Sequence, residues 1–471
     1  MRATAWVAIG SVASMAFGLV AMKAYALIVG PEGVGLIGLM QSLVNIAVII
    51  VGIGVTTSAI SAMSNAVSSG DATRVATVRR AALLLPLTFG SLGAGALIVL
   101  REPAAAIALG SADRATEVVL LAAALLFSIT AAANVSVLNG RREIAALTFL
   151  SVATAAVAAV AGIALVWTYG LEGLAPAVLA GAGANLVLAW WFQWRASSPT
   201  ASVATPGDTA EAARGLISVG APIAVSQLAG AGAVLVAPVL VLHLLGPADV
   251  GYYRAAATIS IGYLTVLVAA LTQDYLPRLA GAQSAEERAT MVERQMRLLL
   301  GLSVPAILAL LAAGPLVLQL LYSEEFTPSF EVLKWQLVGD LIRIPAWILA
   351  FVLLAAGRTK ALFFGELMAG AGLVIGITVG VNLLGLAGAG VGYAVAQIGY
   401  YAMVWLLVRR ELSARPGRLQ LAVLASVLAA VTILGLDPDD SIRFVLFATA
   451  ALLAAAIAWP RIYRLHRAGQ L

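Results

Sequence analysis

Apolar residues run along this chain in long unbroken blocks. The blocks fall at about 5–29, 36–62, 81–100, 115–138, 144–168, 174–194, 215–245, 252–276, 298–322, 331–356, 361–384, 389–408, 419–436 and 442–459. Each is close to or beyond the ~20 residues that a helix needs to cross a bilayer. None alternates with a two-residue period, as a membrane β-barrel strand would. An open sheet edge cannot sit in lipid, so the blocks are read as helices. The pattern predicts an all-α polytopic membrane protein of about 14 transmembrane helices.

The polar stretches between blocks orient the chain. With the N-terminus in the cytoplasm, the inner loops and tails hold Arg74, Arg79, Arg80, Arg141, Arg142, Arg278, Arg288, Arg294, Arg297, Arg409 and Arg410, among others. The outer loops then hold only Arg101, Arg114 and Arg443. Basic residues favour the cytoplasmic side, so both termini are expected there.

Composition sharpens the picture. Hydrophobic residues make up 62% and charged residues 11%, with mean hydropathy +1.00. A soluble chain is nearer half apolar and a quarter charged. No segment remains for a soluble catalytic domain of ordinary size. The net charge of +5 is therefore read as cytoplasmic-loop Lys and Arg, not as a nucleic-acid surface. The absence of Cys excludes disulfides, thiolate zinc and thiol catalysis. With His243 and His466 as its only His, the chain offers no His-based metal centre. Arg2 and the small-x-small Ala24-Tyr25-Ala26 imitate a signal peptide. The run from Trp6 to Val29 is long enough to span, so it is read as the first helix.

The chain also repeats itself. GPEGVG (30–35) recurs as GPADVG (246–251), 216 residues on. The stretches 71–85 and 285–299 align at offset 214, 103–121 and 315–333 at 212, and 171–195 and 386–410 at 215. Four matches in order imply a duplicated six-helix unit. The expected domains are an N-terminal lobe at 1–195, a cytoplasmic linker at 196–213, a C-terminal lobe at 214–410 and a helical hairpin with tail at 411–471. Six spans per unit bring both halves in with the same orientation, as in parallel-repeat transporters.

LIVGPEGVGLIGLMQSLVNI (27–46), LLGPADVGYYRAA (244–256) and LTQDYLPRLA (271–280) resemble Wzx-type O-antigen flippases, including lipid III flippases. These belong to the multidrug/oligosaccharidyl-lipid/polysaccharide exporter superfamily. The resemblance covers about residues 1–410. It implies two pseudo-symmetric six-helix lobes around a central cavity, in a bacterial inner membrane. It also implies export of undecaprenyl-pyrophosphate-linked glycan to the periplasmic leaflet by alternating access. The hairpin at 419–459 departs from the twelve-helix core.

Ionisable groups inside spans are costly, so each is a candidate for function. Lys23 in span one could meet the pyrophosphate or snorkel to the outer headgroups. Gln336, Asp340, Arg343 and Trp347 share one face of span ten. Asp340 and Arg343 are spaced for an intrahelical ion pair, which an anionic headgroup or a proton could open. Lys334 lies nearer the outer end, and Arg254 opens span eight. Gln41 and Asn45 share a face of span two. Tyr393, Gln397 and Tyr400 share a face of span twelve. Amides and phenols there can bond sugar hydroxyls or neighbouring helices. The substrate-binding set is thus Lys23, Gln41, Asn45, Arg254, Lys334, Arg343 and Gln397. Asp340, Asp274 and Glu366 are the coupling or gating candidates, the last two also being placed to meet loop arginines.

No catalytic, metal or cofactor site is expected, and the chain is read as a transporter and not an enzyme. Expected partners are the lipid-linked glycan, the bilayer and the polysaccharide polymerase or chain-length machinery, with no nucleic acid. A multidrug or cation antiporter on the same fold is the first competing reading. It would want acids in spans one and seven, which have none. A membrane-embedded glycosyltransferase or O-antigen ligase is the second, and would want a larger outer loop.

Overall fold

The computed structural model describes residues 2–196, 205–271, 275–412, 442–452 and 454. Among the described residues there are helices and no strands. They are α1 (Arg2–Gly52), α2 (Val55–Ser68), α3 (Ala72–Val99), α4 (Arg101–Leu109), α5 (Ala115–Gly140), α6 (Ile144–Tyr169) and α7 (Leu174–Arg195). Then follow α8 (Pro206–Leu244), α9 (Pro247–Ala270), α10 (Leu276–Ala280), α11 (Ala285–Leu321), α12 (Ser329–Ala355) and α13 (Thr359–Leu412). The expected span at 419–436 and Asp274 lie outside the described residues. The last expected span is helical over 442–452.

Two of these helices are each two spans joined at a glycine. α1 breaks at Gly30 (φ 62°, ψ −163°) and α13 at Gly385 (φ 60°, ψ −139°). At 1.5 Å per residue a straight helix of that length would be more than about two and a half times the ~30 Å hydrocarbon core. The limbs of α13 fold back on each other through glycines. A Cβ on Gly380 would lie 2.1 Å from the Gly388 carbonyl oxygen, and one on Gly392 2.0 Å from that of Gly376. Large apolar side chains face outward, as lipid solvation requires: Val99 is 82% exposed and Leu383 75%. The chain is a multi-pass membrane protein.

The helix ends are set locally. Asp71 caps α3 by accepting from the amides of Thr73 (2.9 Å) and Arg74 (3.1 Å). Ser284 caps α11 by accepting from Glu287 N at 3.1 Å, while Glu287 reaches back to Gln283 N at 2.8 Å. Loop arginines close the other ends. Arg141 donates to the Ala196 carbonyl at 2.7 Å, and Arg358 to that of Leu407 at 3.2 Å.

The chain forms two compact units, Met1–Gly251 and Tyr252–Leu471. In unit 1, α5 packs on α2, α3 and α7, α1 packs on α6, and α8 packs on α1, α2 and α3. In unit 2, α12 is the buried centre, with α11 and α13 against it.

Local backbone geometry recurs between units. Ser111 and Ser323, 212 apart, are both extended and both open a 3₁₀ turn. Gly170 (φ 58°, ψ −131°) and Gly385, 215 apart, adopt nearly one conformation. After α5, Arg142 N donates to Asn139 O (2.9 Å) and Glu143 N to Leu138 O (3.1 Å). After α12, Gly357 N donates to Leu354 O (3.1 Å) and Arg358 N to Leu353 O (2.9 Å), each position shifted by 215. Thr327–Ser329 therefore absorbs the change of offset from 212 to 215, where α12 begins. The α3 and α11 caps, Asp71 and Ser284, are 213 apart, one residue off the alignment read from the sequence.

The two GP-x-x-VG turns meet within unit 1. A Cβ on Gly251 would lie 1.9 Å from the Pro31 carbonyl oxygen, and one on Gly35 2.6 Å from that of Pro247. Only glycine permits this backbone contact.

Candidate functional site

The charged stripe of span ten is built into α12. Asp340 is fully buried, and Gln336, one turn earlier, is 2% exposed. A carboxylate in such surroundings must be strongly hydrogen-bonded. Ser260 Oγ on α9 donates to Asp340 Oδ2 at 2.6 Å, and Tyr393 Oη on α13 donates to Oδ1 at 2.6 Å. Arg343 Nη1 donates to the same Tyr393 hydroxyl at 2.8 Å. The Arg343 guanidinium also lies 4.5 Å above the Trp347 ring. Small residues make the approach possible. A Cβ on Gly339 would stand 2.7 Å from the Tyr393 ring, and one on Gly390 2.6 Å from Val332 O.

The intrahelical pair expected between Asp340 and Arg343 is thus bridged by Tyr393. The phenol reaches in from a neighbouring helix, accepts from the cation and donates to the anion. Charge-assisted bonds of this length are about twice as strong as neutral ones. Glu366 is also relocated. It accepts from Tyr400 Oη at 2.5 Å, and among the described residues no loop arginine bonds it. Both lie on α13, one per limb, so this bond ties the limbs together. Gln397, between Tyr393 and Tyr400, is 8% exposed.

The other candidates are scattered. Lys334 pairs with Glu331 at 2.7 Å, three residues earlier on α12. Arg254 is half-buried near the start of α9, and Lys23 is half-buried in α1.

Gln41 and Asn45 do come together, in a cavity of about 340 Å³ inside unit 1. Tyr25, Ser128, Thr154 and Asn185 complete its polar lining, and Ile37, Val44, Ala158 and Val178 its apolar walls. The residues come from both limbs of α1 and from α5, α6 and α7. No lining residue is ionised at neutral pH. Thr154 Oγ1 is buried and has no hydrogen-bond partner among the described residues. Gly162 leaves room for Tyr25, since a Cβ there would meet the Tyr25 hydroxyl at 2.0 Å. Ser128, Thr154 and Asn185 carry no signal in sequence, because an isolated neutral residue in a span usually bonds its own helix. Asn382, whose Nδ2 donates to Thr378 O at 2.7 Å, is such a case.

Residues 25–331 match the family described as polysaccharide biosynthesis protein. The chain belongs to this family. It is 24% identical over 166 residues to the lipid III flippase of Escherichia coli (strain K12), and equally to that of Shigella flexneri. The alignment covers 35% of this chain and 40% of those flippases, so the chain spans about two fifths of their length. Among solved structures, the lipid II flippase MurJ in its inward closed conformation has TM-score 0.68 at 14% identity. That match covers 97% of this chain and 98% of MurJ. An inward-facing MATE family multidrug resistance transporter of the MOP superfamily has TM-score 0.69 at 17% identity, over 85% of this chain and 94% of its own. These likenesses establish the fold: this family member is built like MurJ and the MATE transporters.

Proposed function

We propose that the chain is a flippase for lipid-linked oligosaccharide. It carries an undecaprenyl-pyrophosphate-linked glycan from the cytoplasmic to the periplasmic leaflet of a bacterial inner membrane, by alternating access. What supports this reading is the chain's membership of the polysaccharide biosynthesis family over residues 25–331, together with its separate similarity to lipid III flippases. The positions of the inner-loop arginines support cytoplasmic termini.

In this reading the polar headgroup crosses through protein while the polyprenyl tail stays in lipid. The functional lobes are 1–195 and 214–410, with the linker 196–213 between them. Lys23, Arg254 and Arg343 offset the desolvation of the pyrophosphate. A guanidinium has five N–H donors, and Arg343 gives one nitrogen to Tyr393. Its remaining donors take the anion, and Asp340 and Tyr393 fix its position. With the inside negative by ~100 mV, moving about two negative charges outward runs down the potential and releases about 4–5 kcal/mol. Polysaccharide polymerase or chain-length machinery would act on the product.

The test is the fate of lipid-linked intermediates in the native bacterium. Depleting the protein should make one undecaprenyl-linked glycan accumulate on the cytoplasmic leaflet, detected by mass spectrometry. An unchanged lipid-linked pool with heightened sensitivity to cationic dyes would overturn the reading in favour of an antiporter.

A further inference from the structure

The cavity of unit 1 has the chemistry of a site for a neutral, hydroxyl-rich ligand. Its volume of about 340 Å³ falls in the range of small-molecule sites, about 300–1,000 Å³. Its polar lining is three amides and three hydroxyls. Each amide offers two donors and an acceptor, and each hydroxyl a donor and acceptors. Such groups match sugar hydroxyls, which also donate and accept. The apolar walls suit the C–H faces of a ring.

The lining also excludes other occupants. A metal ion or organic cation buried here would need a carboxylate, and none lines the cavity. A pyrophosphate would need Arg or Lys, and none lines it either. Thr154 points the same way. A buried hydroxyl without a partner carries an uncompensated desolvation cost, and a ligand that bonds it recovers that energy. The outward groups Gln41 and Asn45 are exposed on the second limb of α1, so a ligand can reach them.

We propose that this cavity binds one neutral sugar ring of the lipid-linked glycan, through Gln41, Asn45, Ser128, Thr154 and Asn185. The inference rests on the flippase reading and adds a division of labour. Cations elsewhere take the pyrophosphate, and this uncharged cavity reads the sugar.

The experiment uses the full chain purified in detergent. The probes are a short-chain polyprenyl diphosphate and the same lipid bearing one neutral hexose or N-acetylhexosamine, drawn from a panel. Dissociation constants are measured by thermophoresis, and melting temperature reports folding. At least one sugar-bearing probe should bind the wild type more tightly than the bare diphosphate. Asn185→Leu and Gln41→Leu should each remove about tenfold of that gain, the worth of a lost hydrogen bond. Affinity for the bare diphosphate should stay unchanged. Thr154→Val keeps the side-chain shape and decides the matter if a larger change prevents folding. The sugar site is overturned if no sugar strengthens binding, or if the variants weaken bare and sugar-bearing probes alike. A wild type that binds neither probe instead strikes at the flippase reading itself.

Discussion

The same place in the two halves of this molecule is hollow in one and filled in the other. Counting back from the shared turn after α5 and α12, Arg343 corresponds to Ser128 and Asp340 to Leu125. The offset of 215 pairs Tyr393 with Val178, and the offset of 216 pairs Ser260 with Val44. Ser128, Val178 and Val44 all line the unit 1 cavity. Their counterparts form one network in unit 2, in which Ser260 and Tyr393 bond Asp340 and Arg343 bonds Tyr393. One scaffold position thus carries an ionic network in one half and an uncharged cavity in the other. A backbone can be duplicated while its interior chemistry is divided.

The most damaging way to break this contrast is to remove the centre of the network. Asp340→Ala strands the Tyr393 and Ser260 hydroxyls and leaves Arg343 without its anion. A loss of about 3–5 kcal/mol is expected, read by denaturant unfolding in detergent. Arg343→Ala is the complementary cut, and the double change sharpens it. If Arg343 meets the pyrophosphate, Asp340→Ala with Arg343→Ala recovers stability but not glycan export. A double variant that exports at the wild-type rate removes Arg343 from the site.

Tyr393→Phe keeps the ring and deletes the bridge. It should lower stability by about 1.5–3 kcal/mol, the range for a bond to a charged group, and thermal unfolding checks it. Val178→Phe at the matching position of unit 1 should take up hollow space and shift stability far less.

A smaller effect tests whether the two halves share their turns. Arg142 holds φ 60° and Gly357 holds φ 70°. A side chain in that left-handed region costs about 1–2 kcal/mol. Gly357→Ala should therefore destabilise by about 1 kcal/mol, because its Cβ would meet nothing within 4 Å and only the backbone term remains. Arg142→Gly should be neutral or mildly stabilising despite losing a side chain. The smallest stability change belongs to Asn185→Ala, within about 0.5 kcal/mol. Glycan export should nevertheless fall, and a variant that exports normally would separate the cavity from transport.

Much of the fold was legible in sequence because lipid imposes a simple rule on span length and composition. The glycine motifs marked helix breaks at residues 30 and 246, where φ is positive. The stripe on α12 stood out because charges in an apolar run have few explanations. The partner of Asp340 was not legible. Its pairing with Tyr393 depends on which helices adjoin, and spacing along one helix could only offer Arg343. The bond of Glu366 to Tyr400 was not legible for the same reason, since Tyr400 lies 34 residues away on the returning limb. Ser128, Thr154 and Asn185 were invisible because neutral polar residues are commonplace in spans. Only their convergence from α5, α6 and α7 sets them apart.

The turn that closes α5 and α12 bears on how kinship between the halves can be read at all. Arg142 and Gly357 share no side-chain chemistry, so a letter-by-letter comparison scores that position as unrelated. Their backbones donate to matching carbonyls and adopt the same handedness. Ancestry is written there in dihedral angles and not in the alphabet of residues. A search for duplications in other membrane proteins would do well to compare the angles at which helices stop.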